Sequence, residues 1–140
     1  MNLKRCCSFQ LMWVDQMVMN LRLPIHHLRR NPAQAGWLSG AIALAIIGLS
    51  LSPLAQLPDV PGSDKTHHLI AYAVLAIPTA IAIPQRIWTM ALLYICLGGV
   101  IELIQPYVNR YGEWLDFIAN TAGVLIGSVF GLLVDKYIKH

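Results

Sequence analysis

The sequence predicts an all-α membrane protein, a four-transmembrane-helix bundle with both termini cytoplasmic. Three observations carry that prediction. Of 140 residues, 56% are hydrophobic and only 12% are charged, against about 25% charged in soluble domains. Four apolar runs approach the length needed to cross a hydrocarbon core of about 30 Å. The lysines and arginines gather on alternate connections between those runs.

Residues 1–36 read as a cytoplasmic leader. Val14, Val18, Leu21, Ile25 and Leu28 recur at helical spacing, Pro24 interrupts them, and Arg22, Arg29 and Arg30 flank them. The stretch is either an interfacial amphipathic helix on an anionic leaflet or a loosely ordered tail. It can also be upstream sequence ahead of a later start at Met12, Met17 or Met19. Asp15 breaks the apolar run that a secretory signal needs.

The first span is expected over about 37–57, 21 residues without a charge, with Ser52-Pro53 kinking or finishing it. The second is expected from Thr66 to about Ile83, bent at Pro78. Pro84-Gln85-Arg86 makes a tight connection. The third runs from Ile87 to Gln105, where Pro106 terminates it, and the fourth from Trp114 to Val134, with 135–140 as a cytoplasmic tail. Trp37, Trp88 and Trp114 sit at span ends as interface anchors. In this four-span scheme eight of the ten lysines and arginines share one side, and only Lys65 and Arg110 lie on the other. The positive-inside rule places the eight in the cytoplasm.

The formal charge of +3 is small and its basic residues form no stripe, so no nucleic-acid partner is expected. The partners are membrane lipids. Cys6, Cys7 and Cys96 suggest no structural disulfide, and Cys96 reads as a packing residue. No Cys/His spacing of zinc type occurs, and no cofactor or metal is expected.

Three polar constellations fall in the extracytoplasmic half. His68 and Tyr72 share one face at i and i+4 early in the second span, just after Asp64 and Lys65. Glu102 and Gln105 close the third span. Asp116 and Asn120 open the fourth, on the face of Gly123, Gly127 and Gly131, whose spacing lets another backbone approach closely. Ionisable groups within spans are disfavoured, by about 2.5–3.5 kcal/mol at a helix centre. Taken singly, each residue reads as an interfacial side chain snorkelling to water. Three helices sharing one leaflet read as a common site. His67 points about 100° away from His68 on a helix of 3.6 residues per turn and reads as a loop residue. His26 and His27 read as solvated.

The ordered set Asp64-Lys65-x-x-His68-x-x-x-Tyr72, Glu102-x-x-Gln105 followed by Arg110, and Asp116-x-x-x-Asn120-x-x-Gly123-x-x-x-Gly127 resembles the VanZ-like family of small bacterial membrane proteins, over about residues 37–134. The resemblance implies a location in the bacterial cell membrane and a link, through the family's namesake, to low-level glycopeptide (teicoplanin) resistance. It supplies no established reaction or cofactor. Asn109-Arg110-Tyr111-Gly112 departs from a more Pro- or Gly-rich approach to the arginine.

The leading functional expectation is a module binding a cell-envelope lipid or glycan precursor at the outer leaflet. Lys65 and Arg110 would meet an anion, Arg110 bidentately. Asp64, Glu102, Gln105, Asp116 and Asn120 would meet sugar and peptide groups. The alternative is a membrane-embedded enzyme in which His68 with Glu102 or Asp116 supplies acid-base chemistry. A divalent metal on His68, Glu102 and Asp116 is conceivable there without a spacing signature, and Ser63 is a weak nucleophile candidate. A proton-coupled transporter would need polar residues continuing into the cytoplasmic half, which are missing. A structural scaffold, with the polar shell only fixing helix pairing, is the remaining reading.

Overall fold

The structure is a computed structural model and describes residues 26–52, 63–110 and 112–139. Its regular elements are all helical among the described residues. Helix α1 spans Pro32–Leu51, α2 Asp64–Ala82, α3 Ile87–Ile104 and α4 Trp114–Lys139. Short 3-10 turns, Pro84–Arg86 and Gln105–Val108, flank α3. Residues 26–30 are also helical. Leu28 lies in that short stretch. The other four positions of the expected leader stripe lie outside the described residues.

Local chemistry sets the boundaries. Pro32 occupies the first turn of α1, where its fixed φ suits a helix start and its missing N–H costs nothing. The helix therefore begins five residues ahead of the expected position 37. It ends at Leu51 because Ser52 is extended, the conformation favoured before Pro53. Expected span positions 53–57 lie outside the described residues. Ser63 caps α2, its Oγ accepting from Thr66 N–H at 3.3 Å, and Asp64 complements the dipole of that first turn. The helix continues through Pro78 to Ala82.

Three segments are long and apolar enough to cross a membrane: Pro32–Leu51, Pro84–Val108 and Trp114–Lys139. Of the four expected spans, three qualify by length and composition, and α2 is not among them. Its opening turns carry Asp64, Lys65, His67 and His68, which dilute its apolar character. Most of its remaining length is packed inside the protein, including Tyr72, Leu75, Ala76, Thr79 and Ala80. An enclosed helix has little lipid-facing surface to make apolar.

The most extensive interface joins α2 and α4, and its closeness explains the glycines. A Cβ on Gly123 would collide with the Leu69 carbonyl, one on Gly127 with the Ala73 carbonyl, and one on Gly131 with the Ala80 methyl. Small residues thus let two backbones touch. Around this pair Ile46, Tyr72, Leu75, Ala91, Tyr94, Ile101 and Val124 form the core. Leu44, Leu92, Leu103, Leu125, Val129 and Phe130 face outward, an apolar exterior suited to lipid. Trp37, Trp88 and Trp114 are 80%, 79% and 81% exposed near helix ends.

Three expectations are corrected. Cys96 is exposed rather than packed. His67 lies half-buried within α2 rather than in a loop. The fourth helix does not end at Val134, because no breaker follows and its last turn carries Lys136 and Lys139, which suit the negative end of the dipole. Asp135, expected in the tail, is only 3% exposed. It pairs with Arg29 at 3.1 Å and with Lys139.

If the glycine contact carries the fold, Gly127→Ala should lower thermal stability in detergent by about 1–3 kcal/mol, the usual cost of overpacking. Gly48→Ala, on a side of α1 with nothing within 4 Å, is the control and should not. Equal melting temperatures for the two variants would contradict this packing.

Candidate functional site

The antiparallel path brings the start of α2, the end of α3 and the start of α4 to one end of the bundle. α2 contributes Asp64, Lys65, His68 and Tyr72. α3 and its following turn contribute Glu102 and Gln105, and α4 contributes Asp116 and Asn120. All but Asp64 and Lys65 are buried. Of the polar residues singled out in the sequence, the structure gathers the whole set here.

Asn120 is the hub and is fully buried. Its Nδ2 donates to Glu102 Oε1 at 3.2 Å, and its Oδ1 lies 2.9 Å from His68 Nδ1. An ionised carboxylate only accepts, which assigns the Asn120 amide orientation. His68 Nδ1 then faces the Asn120 oxygen as the donor. His68 and Glu102 do not bond directly, since Nδ1 and Oε1 are 3.9 Å apart. Tyr72 stands one turn below His68, beside Gly98. A Cβ at Gly98 would lie 3.2 Å from Asn120 and 3.3 Å from the Tyr72 ring, so Gly98 lets α3 close on the hub.

Nearer the surface, Lys65 donates to Glu113 Oε2 at 2.8 Å and reaches Asp116 Oδ1 at 3.8 Å. Lys65 precedes the expected span, and its hydrogen bond to Glu113 raises its ammonium above the ordinary 10.5. Arg110 is 9% exposed, with Nη2 4.0 Å from Asp64. The turn before it depends on Asn109, which adopts φ 58. Asparagine tolerates that left-handed conformation better than most side chains and here does what glycine would otherwise do. The Arg110 N–H then donates back to the Gln105 carbonyl at 3.1 Å. The Gln105 side chain donates to the Ser50 carbonyl at 3.3 Å, tying α1 to the same end.

Helix dipoles explain part of this charge. Asp64 and Asp116 occupy first turns, where carboxylates are favoured. Glu102 lies in the last turn of α3, at the negative end, so the dipole opposes it. Saturation is also incomplete. Among the described residues seven buried side-chain atoms have no hydrogen-bond partner, and five belong to this cluster: Tyr72 Oη, Glu102 Oε2, Gln105 Oε1, Arg110 Nη1 and Asp116 Oδ1. Each such atom costs about 1–3 kcal/mol, so their gathering at one end points to a ligand.

Sequence spacing suggested no metal ligand set. In the fold, ligand atoms of Asp64, His68 and Asp116 lie within 4.8 Å of one another. Glu102, part of the conceivable trio, is instead held by Asn120. Sequence reasoning missed Glu113 and Gly98. The Gly98-Gly99 pair four and three residues before Glu102 was the available signal for the second, and Glu113 carried none beyond its charge. No family model matches the chain, and neither does any curated protein or solved structure.

Asn120→Ala should cost about 1–3 kcal/mol of stability, because it strips buried His68 and Glu102 of a shared partner. Glu113→Gln, which loosens an exposed pair, should cost under about 1 kcal/mol. Thermal unfolding in one detergent compares them, and a Glu113 effect equal to that of Asn120 would contradict the hub.

Proposed function

We propose that the chain is a VanZ-like multi-pass protein of the bacterial cell (inner) membrane, with four spans and both ends cytoplasmic. Its polar cluster lies at the outer leaflet and binds an anionic envelope lipid or glycan-lipid precursor. Arg110 carries this reading. Its side chain is 7% exposed, its nearest carboxylate is 4.0 Å away, and Nη1 has no hydrogen-bond partner. A buried guanidinium in that state is suited to a phosphate, which it can hold through two parallel N–H donors. Lys65 supplies a second cation nearby, while Gln105, Glu102 and Tyr72 offer unmet polar atoms to sugar or peptide groups.

Binding is favoured over acid-base turnover by the His68 geometry. Its Nδ1 is committed to Asn120, and it makes no hydrogen bond to Glu102, 3.9 Å away. A scaffold role is disfavoured by the five unmet atoms, because a shell that only paired helices would satisfy its own valences. The family resemblance adds the link to glycopeptide resistance.

The orientation is testable by cysteine accessibility. In a background lacking Cys6, Cys7 and Cys96, Tyr111→Cys should react with an impermeant thiol reagent added outside intact cells, and Gln85→Cys should not. The reverse pattern would put the cluster at the inner leaflet. The ligand is tested by mass spectrometry of lipids co-purifying with the protein. A phosphate-bearing envelope lipid should be enriched on the wild type and lost from a folded Arg110→Ala variant, which should also lose any effect on glycopeptide sensitivity. Identical lipid profiles would refute anion binding at Arg110.

A further inference from the structure

We propose that Asp64, His68 and Asp116 form a binding site for one divalent metal ion, of the Mn2+ or Zn2+ type. The first observation is proximity, since one ligand atom from each lies within 4.8 Å of the others. Those atoms come from the first two turns of α2 and the first turn of α4, so only the folded pair of helices assembles them. The glycine-lined contact between these helices holds the spacing rigid.

The second observation is the unmet valence of Asp116. Its side chain is 3% exposed, and Oδ1 has no hydrogen-bond partner. Lys65 stands 3.8 Å from that oxygen, but its ammonium is directed to Glu113 at 2.8 Å. The third observation is the 2.9 Å hydrogen bond between His68 Nδ1 and Asn120 Oδ1. Metal-bound imidazoles characteristically donate their other N–H to an oxygen acceptor. His68 donates Nδ1–H to Asn120 Oδ1, and Asn120 is itself fixed by Glu102. The ion is therefore assigned to Nε2, with the ring oriented by a buried amide.

Charge points the same way. Asp64, Glu102, Glu113 and Asp116 meet Lys65 and Arg110 in this cluster. By formal charge, four carboxylates against two cations leave an excess of two negative charges. Helix ends contribute about half a charge each, two positive and one negative here, and do not close that deficit. One divalent cation would cancel the formal excess. Two carboxylates with one imidazole mix the donors preferred by Mn2+ with the donor common to Zn2+. Three protein donors also leave coordination positions open to water or to an anionic oxygen beside Arg110. That last role rests on the anion-binding reading above, whereas the metal site itself does not.

The test uses the full chain purified without a polyhistidine tag, in detergent and without added lipid. MnCl2 is titrated in and free Mn2+ is followed by electron paramagnetic resonance. The wild type should bind one ion per chain saturably, with Zn2+ competing. His68→Gln and Asp116→Asn should abolish that binding. Asp64→Asn, an exposed change that leaves packing intact, should weaken it at least tenfold and decides the matter if the buried variants fail to fold. Asn120→Ala should weaken it by about 10–100-fold, as loss of an orienting partner does. Lys65→Met should tighten it by removing a competing ammonium. No saturable binding by the wild type, or wild-type affinity in Asp64→Asn, would overturn the proposal. Because no lipid is present, a negative result leaves anion binding at Arg110 to be judged by the co-purification experiment alone.

Discussion

The close approach of α4 to α2 is the constraint on which the rest of this structure depends. Gly123 and Gly127 place the α4 backbone against the carbonyls of Leu69 and Ala73, a distance that no larger side chain permits. The same contact sets the rotation of both helices about their axes. Asp116 and Asn120 lie seven and three residues before Gly123, so fixing the glycine face also aims them at α2. His68 and Lys65 meet them there. α3 then closes the third side through Gly98, which brings Glu102 to Asn120.

The two ends of the bundle handle buried charge in opposite ways. At one end Asp135 is enclosed and meets two cations, Lys139 by a hydrogen bond to Oδ2 and Arg29 by an ion pair to Oδ1, which has no hydrogen bond of its own. Burial of a carboxylate is tolerated when it is paired in this manner. At the other end carboxylates outnumber cations, the basic groups are shared, and five polar atoms are left without partners. A helix bundle gains nothing in stability from that arrangement. The first end is a paired clasp, whereas the second leaves polar valences unmet.

Much of the fold was legible in the sequence because a helix declares itself locally. Length and hydropathy located α1, α3 and α4 within about five residues, and prolines marked their connections. The i and i+4 spacings placed His68 with Tyr72, and Asp116 with Asn120, on single faces. Two features were hidden from the sequence for one shared reason, that composition says nothing about enclosure. α2 opens on polar turns and is largely covered by other helices, so hydropathy alone does not mark it as a span. Asp135 resembled a tail residue because its partner Arg29 lies more than a hundred positions away.

By itself, the sequence determined the helices, the end of the bundle at which the polar residues collect and the glycine face they share, since spacing along one chain fixes one helix's periodicity. Only the tertiary structure decided who partners whom. It made Asn120 the link between His68 and Glu102, joined Lys65 to Glu113, and gathered Asp64 with His68 and Asp116. Those pairings depend on the rotation and depth of one helix against another. Packing of backbones and side chains settles both, and no pattern within a single helix encodes them.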